Sequence, residues 1–151
     1  MKTKFLLIIF TLSSCFNFAQ SKLADDLFKD YAYTKSIKLY EEALNNVKEK
    51  NKLHILKRLG DCHYNNSRAE KAATYYESAF NLSLADSIFI NKEYIYKYIE
   101  TLRSIGTKQS FEKEKLWMTK FKNQAANDSR GNSEVLDYSI YEQLKDTSKV
   151  Y

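Results

Sequence analysis

The chain has 151 residues, a length that suits one domain. It has no Pro, three Gly and 44% hydrophobic residues, a composition that favours helix over sheet. Its 24 basic and 19 acidic residues give a net charge of +5, or +3 without Lys2 and Lys4, and no segment concentrates the basic charge as nucleic-acid binders do. A nucleic-acid partner is therefore not expected.

Met1 to Gln20 reads as an export signal. Lys2 and Lys4 form a charged start, Phe5 to Leu12 an apolar stretch, and Ala19 a small residue where a peptidase could cut. Residues 1–19 are assigned to this signal peptide. A spanning helix needs about 20 apolar residues. Thr11, Ser13, Ser14 and Asn17 interrupt this run, so no transmembrane span is expected in the mature chain. Leu12-Ser13-Ser14-Cys15 also resembles a bacterial lipobox, which would make Cys15 a lipidation site. Cleavage after Ala19 or Gln20 and lipidation at Cys15 are the two processing routes. After ordinary cleavage only Cys62 remains, so no internal disulfide can form. Cys62 reads as a small buried hydrophobe.

Leu23, Leu27 and Tyr31 give one helical face, with Phe28 beside it. A short break is expected at Tyr33 to Thr34. A second helix then carries Ser36, Tyr40, Ala43, Leu44 and Val47. Lys48 to Lys52 reads as a charged loop. In the next segment Leu56, Leu59, Gly60 and His63 share a face at i, i+3, i+4 and i+7. Ala72, Tyr76 and Ala79 do so on the following helix. Asn65, Asn66 and Ser67 favour a turn between them, because their side chains bond nearby backbone. Gly60 costs roughly 1 kcal/mol in a helix relative to Ala. It marks a place where another helix comes too close for a Cβ. SIKLYEEAL aligns with KAATYYESAF when Tyr40 is set on Tyr76 and Ala43 on Ala79, an offset of 36 residues.

Leu56, Leu59, Gly60, Ala72, Tyr76 and Ala79 resemble the tetratricopeptide repeat, with His63 where an aromatic is usual; the period of that repeat is about 34. The resemblance implies stacked helix pairs. A third pair is read from Ile90 to Phe121. Tyr94, Ile95, Tyr98, Ile99, Leu102 and Ile105 form its first stripe. Gly106 ends that helix as a left-handed cap. Ser110 is expected to cap the next helix, with Phe111, Met118 and Phe121 on one side and Trp117 half-buried. Setting Met118 on Tyr76 stretches the offset to 42 and puts Glu114 where a small residue belongs. Asn123 to Ser133 is polar and reads as a linker. Val135, Leu136, Tyr138, Ile140, Tyr141 and Leu144 suit a short helix or an extended strand, and no polar capping helix is evident after them. The expected fold is all-α: a short solenoid of about three helix pairs over 21–122, with a linker and irregular tail over 123–151.

Catalytic chemistry is not expected. His54 and His63 are nine residues apart and point to opposite faces of one helix, so they cannot share a metal. Asp61, Cys62 and His63 diverge around the helix as consecutive residues do. There is no H-E-x-x-H, G-x-S-x-G or phosphate-binding Gly-rich loop. Asp25-Asp26 and Glu41-Glu42 read as solvated pairs. No metal site or cofactor is predicted, and the chain reads as a non-enzyme.

In tetratricopeptide repeats the first helix of each pair lines a concave groove. By that resemblance the partner-binding positions are Lys57, Asp61, Tyr64 and Asn65, then Tyr96, Glu100 and Arg103, with Asp25 and Lys29 in the first pair. Tyr rings rimmed by both signs of charge suit a protein or peptide partner, since Tyr offers contact area at low entropy cost. A glycan or peptide fragment held in the same Tyr-lined groove is the alternative.

Taken together, FAQS, ADDLFKDYAYTKSIKLYEEAL, LKRLGDCHYNNSRAEKAATYYESAF, YIYKYIETLRSIG and NDSRG are similar to the N-terminal repeat region of OmpA-family envelope proteins from Bacteroidetes. Some members serve type IX secretion. The similarity implies export to the periplasm, association with the outer membrane and a scaffold role toward an envelope protein. In that family a propeller and a peptidoglycan-binding domain follow the repeats. The chain ends where the propeller would begin, so peptidoglycan binding is not carried over.

Overall fold

In the computed structural model, residues 20–46, 49–85 and 91–127 are described, and their regular structure is entirely helical. Helix α1 covers 20–29, α2 Tyr33–Leu44, α3 Glu49–Asn65, α4 Ala69–Ala85, α5 Lys92–Ile105 and α6 Lys108–Asn127. They fall into two compact units, Met1–Phe89 with α1 to α4 and Ile90–Tyr151 with α5 and α6. The predicted signal peptide, Cys15 and the segment from Val135 to Leu144 lie outside the described residues.

Several sequence boundaries move. The first break falls at 30–32 rather than Tyr33–Thr34, because the chain reverses at Tyr31, whose φ is 59°. Glu49 to Lys52 belong to α3 rather than to a charged loop. Residues 123–127, read as the start of a linker, continue α6. Leu23 and Tyr31 do not form the buried face of α1: they are 53% and 78% exposed. Ala24 does, and Ser36 Oγ donates to its carbonyl at 2.7 Å across the α1–α2 crossing. A small residue wins that position because the two backbones approach closely there.

In the first unit, Ala24, Ile37, Tyr40, Ala43, Ile55, Leu59 and Cys62 form one apolar cluster from α1, α2 and α3. Helix α4 packs on α3 through Ala72, Ala73, Tyr76, Ala79 and Phe80. The spacings of three and four residues put all of these on single faces. At 25 cal/mol per Å² of apolar surface, each large side chain buried this way contributes about 1.5–3 kcal/mol.

The internal repeat extends to backbone detail. The α1–α2 turn closes with Tyr31 N–H to Phe28 O at 3.0 Å and Ala32 N–H to Leu27 O at 2.9 Å. The α3–α4 turn closes with Ser67 N–H to Tyr64 O at 3.0 Å and Arg68 N–H to His63 O at 2.9 Å. Each pair of bonds is a Schellman closure, which requires one left-handed residue just past the helix. Tyr31 at φ 59° and Ser67 at φ 55° supply it, 36 positions apart.

In the second unit α5 starts at Asn91, whose side chain accepts from Glu93 N–H at 2.9 Å. It stops at Gly106, left-handed at φ 66° as expected. Helix α6 is capped by Thr107 rather than Ser110. Thr107 Oγ1 accepts from Ser110 N–H, and Ser110 Oγ accepts from Thr107 N–H, both at 3.1 Å. That reciprocal pair is a capping box with Ser in the place of Glu. The buried face of α6 carries Ser110, Trp117 and Phe121. Of the side expected to pack, Phe121 is buried, but Phe111 is exposed and Met118 only partly covered. Trp117 is fully buried rather than half-buried, with its ring edge-on to Tyr98 at 6.0 Å and tilted against Phe121 at 5.4 Å.

Candidate interaction surface on the first helices

The groove residues of the second helix pair stand on α3 and those of the first pair, Asp25 and Lys29, on α1. Lys57 and Tyr64 are partly exposed and Asn65 is exposed. Asn65 Nδ2 donates back to Asp61 O at 2.8 Å, which holds the end of the helix. Burial lowers the affinity of Lys57 for its proton, and the carboxylate of Asp61 opposes that effect. Asp61 itself departs from the expectation. It is 1% exposed, and its Oδ1 accepts from Tyr76 Oη at 2.9 Å. It is a buried carboxylate tying α3 to α4, not a side chain offered to a partner.

The same lock occurs one repeat earlier. Tyr40 Oη donates to Asp25 Oδ1 at 2.5 Å. Burial first, and this bond second, push the Tyr40 hydroxyl well above its ordinary pKa, so it stays protonated and can donate. Asp25–Tyr40 and Asp61–Tyr76 are each 15 residues apart in sequence, and the two pairs are 36 apart. Asp25 therefore belongs to the expected surface but is not a merely solvated carboxylate. His54 donates to it through Nε2, at 3.0 and 3.3 Å from its two oxygens. Lys29, the other first-pair position, is exposed and reaches only Asp26, at 3.3 Å.

Arg58 joins the two locks and was missed by the sequence reading. Its Nε lies 3.8 Å from Asp25 Oδ1, and its Nη1 lies 3.7 Å from Asp61 Oδ2. Its guanidinium stands over the Phe28 ring, 4.5 Å from the centroid. A partly buried cation held between two carboxylates and an aromatic face is neutralised and fixed in direction. The signal in the sequence was the i, i+3 spacing of Arg58 and Asp61 on one helix; the contact with Asp25 of α1 had none. Chemically, Phe28, Arg58, Asp25 and His54 tie α1 to α3, and Lys57 and Tyr64 stand partly exposed on α3.

In the second unit Tyr96, Glu100 and Arg103 follow one another along α5. Tyr96 and Arg103 are partly exposed and Glu100 is exposed. Arg103 is committed within the unit: Nε and Nη2 both reach Glu114 Oε1, at 2.9 and 2.6 Å. Glu114 follows Ser110 as Tyr76 follows Ala72, so an ion pair to α5 replaces the Asp–Tyr lock in this hairpin.

His54 is exposed and His63 is buried, on opposite sides of α3 as the nine-residue spacing predicts. Cys62 is fully buried, and burial raises its thiol to about 12. Among the described residues no three His, Cys, Asp or Glu side chains converge as metal ligands. No described helix is long and apolar enough to cross a membrane. No family model matches the chain, and no curated protein or solved structure matches it.

Proposed function

We propose that this chain is an exported, non-catalytic helical-repeat scaffold of the tetratricopeptide kind, docking a protein or peptide of the bacterial envelope on the first helices of its repeats. The observation that carries the reading is the 36-residue equivalence within the first unit. Ala24 matches Gly60 at the crossing, Asp25–Tyr40 matches Asp61–Tyr76 at the lock, and Tyr31 matches Ser67 at the turn. Repeats of this length, each a helical hairpin with a small residue at the crossing, usually build binding surfaces rather than active sites. Export rests on Met1 to Gln20, and the periplasmic location on the similarity to envelope proteins.

Within the first unit binding falls to Lys57, Tyr64 and Asn65 on α3, and within the second, taken by itself, to Tyr96 and Glu100 on α5, all partly or fully exposed. Capture of defined envelope proteins by the full chain, run beside a glycan array, tests the reading. Retention of an envelope protein that weakens with Tyr64→Ala supports it. Selective glycan retention with no protein captured overturns the scaffold assignment in favour of a ligand-binding protein.

A further inference from the structure

The α1–α2 turn displays an aromatic ring that the fold does not need. Tyr31 takes the left-handed position of the Schellman closure, and Ser67 takes the same position in the equivalent turn. The turn therefore requires a backbone conformation, not a ring. A bulky side chain is unfavourable at positive φ, where Gly or Asn is the usual occupant. Tyr31 is nonetheless 78% exposed, more than any other large hydrophobic side chain among the described residues.

The ring is held in place. Tyr31 meets Tyr33 edge to face at 6.2 Å and 88°. Tyr33 meets Phe28 at 5.4 Å and 67°. Phe28 in turn carries the guanidinium of Arg58. Successive near-perpendicular rings make a corner rather than the flat platform that suits a sugar ring. The inner end of the series is already occupied by a cation, which Asp25 neutralises.

The outer end exposes the Tyr31 ring next in sequence to a carboxylate. Asp30 precedes Tyr31, is exposed, and lies at the carbonyl end of α1. A carboxylate and a helix C-terminus both favour a cation, and the face of a Tyr ring attracts a guanidinium. We infer that the Asp30–Tyr31 corner is a docking point for an arginine side chain on a partner polypeptide, bound as Arg58 is bound within the chain. The inference rests on the scaffold reading only in making the partner a polypeptide, and it uses a surface separate from Tyr64.

The test is a nuclear magnetic resonance titration of the full chain with short Gly-Ser peptides carrying Arg, Lys or Glu, with a neutral oligosaccharide in parallel. The Arg peptide should shift the ring resonances of Tyr31 and Tyr33, and Tyr31→Ser should weaken it by about fivefold, the worth of an exposed cation–π contact. Asp30→Asn should weaken it and flatten its salt dependence, whereas Tyr64→Ala should leave it unchanged. Tyr31→Gly should fold with an equal or higher melting temperature and also lose the peptide. Equal binding of the Lys peptide would overturn the choice of an arginine, and unchanged binding by Tyr31→Ser would remove the ring from the account. Ring shifts with the Glu peptide, with the oligosaccharide or with protein concentration alone would overturn the assignment, as would unfolding by Tyr31→Gly. Loss of envelope-protein capture in Tyr64→Ala with Arg-peptide binding intact would separate this site from the proposed groove.

Discussion

Gly60 lies under the ring of Tyr76. A Cβ built on Gly60 would stand 2.5 Å from both Cδ1 and Cε1 of that ring. The ring cannot swing aside easily, because it is fully buried and its hydroxyl is bonded to Asp61. The crossing of α3 and α4 is therefore set by the absence of a side chain.

Gly60→Ala follows from this contact. From helix propensity alone Ala should gain roughly 1 kcal/mol. The overpacked crossing should cost more, typically about 1–3 kcal/mol. Urea denaturation should show Gly60→Ala less stable than the parent, and Gly60→Leu much less so. A more stable Ala variant would place Tyr76 elsewhere.

The two locks should differ in strength. Asp61 is buried, so Tyr76→Phe removes the hydroxyl that donates to its carboxylate out of solvent. Losing a hydrogen bond to a charged, buried group costs about 1.5–3 kcal/mol. Asp25 is partly exposed and keeps His54 when Tyr40 becomes Phe. Denaturant midpoints should therefore fall further for Tyr76→Phe than for Tyr40→Phe. Equal losses would mean that solvent does not reach Asp25.

Acid should destabilise the first unit through His63. This side chain is 1% exposed and stacks on Tyr75 at 5.3 Å, 4° from coplanar, while Tyr75 Oη donates to Glu41 at 3.2 Å. Neither ring nitrogen has a hydrogen-bond partner. Burial first, then the cations Lys71 and Arg68, lower its pKa below the ordinary 6.5, against a smaller opposing effect of Glu41. The unfolded chain then takes up the proton more readily than the folded one. The His63 contribution is present above the unfolded value and is lost as pH falls from about 6.5 toward the lower folded value. Melting followed from neutral pH downward should show this fall in the parent and a smaller one in His63→Phe. A parent melting temperature that rises across the same window would contradict the buried neutral imidazole.

Arg103→Ala should lower stability rather than act only on binding. It would strand Glu114, whose side chain is 14% exposed, without its cation. A partly buried charge pair broken on one side costs on the order of 1–3 kcal/mol. Glu100→Ala, on an exposed position of the same helix, should change the melt by less than about 0.5 kcal/mol. The melts of these two variants provide the check. A silent Arg103→Ala would return that side chain to the partner-binding set.

The sequence by itself determined the helices, the 36-residue repeat, Gly60 as a crossing point and Gly106 as a stop. These follow from periodicity and from residues whose backbone demands are local. Only the tertiary structure decided which side of α1 and α6 is buried. On both helices two faces carry apolar residues. Ala24 was preferred to Leu23 because the crossing needs a small residue, and Ser110 and Trp117 to Phe111 because α5 presents Tyr98. The fates of Asp61 and Arg103 were decided at the same level. A carboxylate or guanidinium at a helix surface position reads as solvated until a partner arrives from another helix. Those partners, Tyr76 and Glu114, lie 15 and 11 residues away. At such separations the pairing depends on the crossing of two helices, a relation that spacing along one helix does not contain.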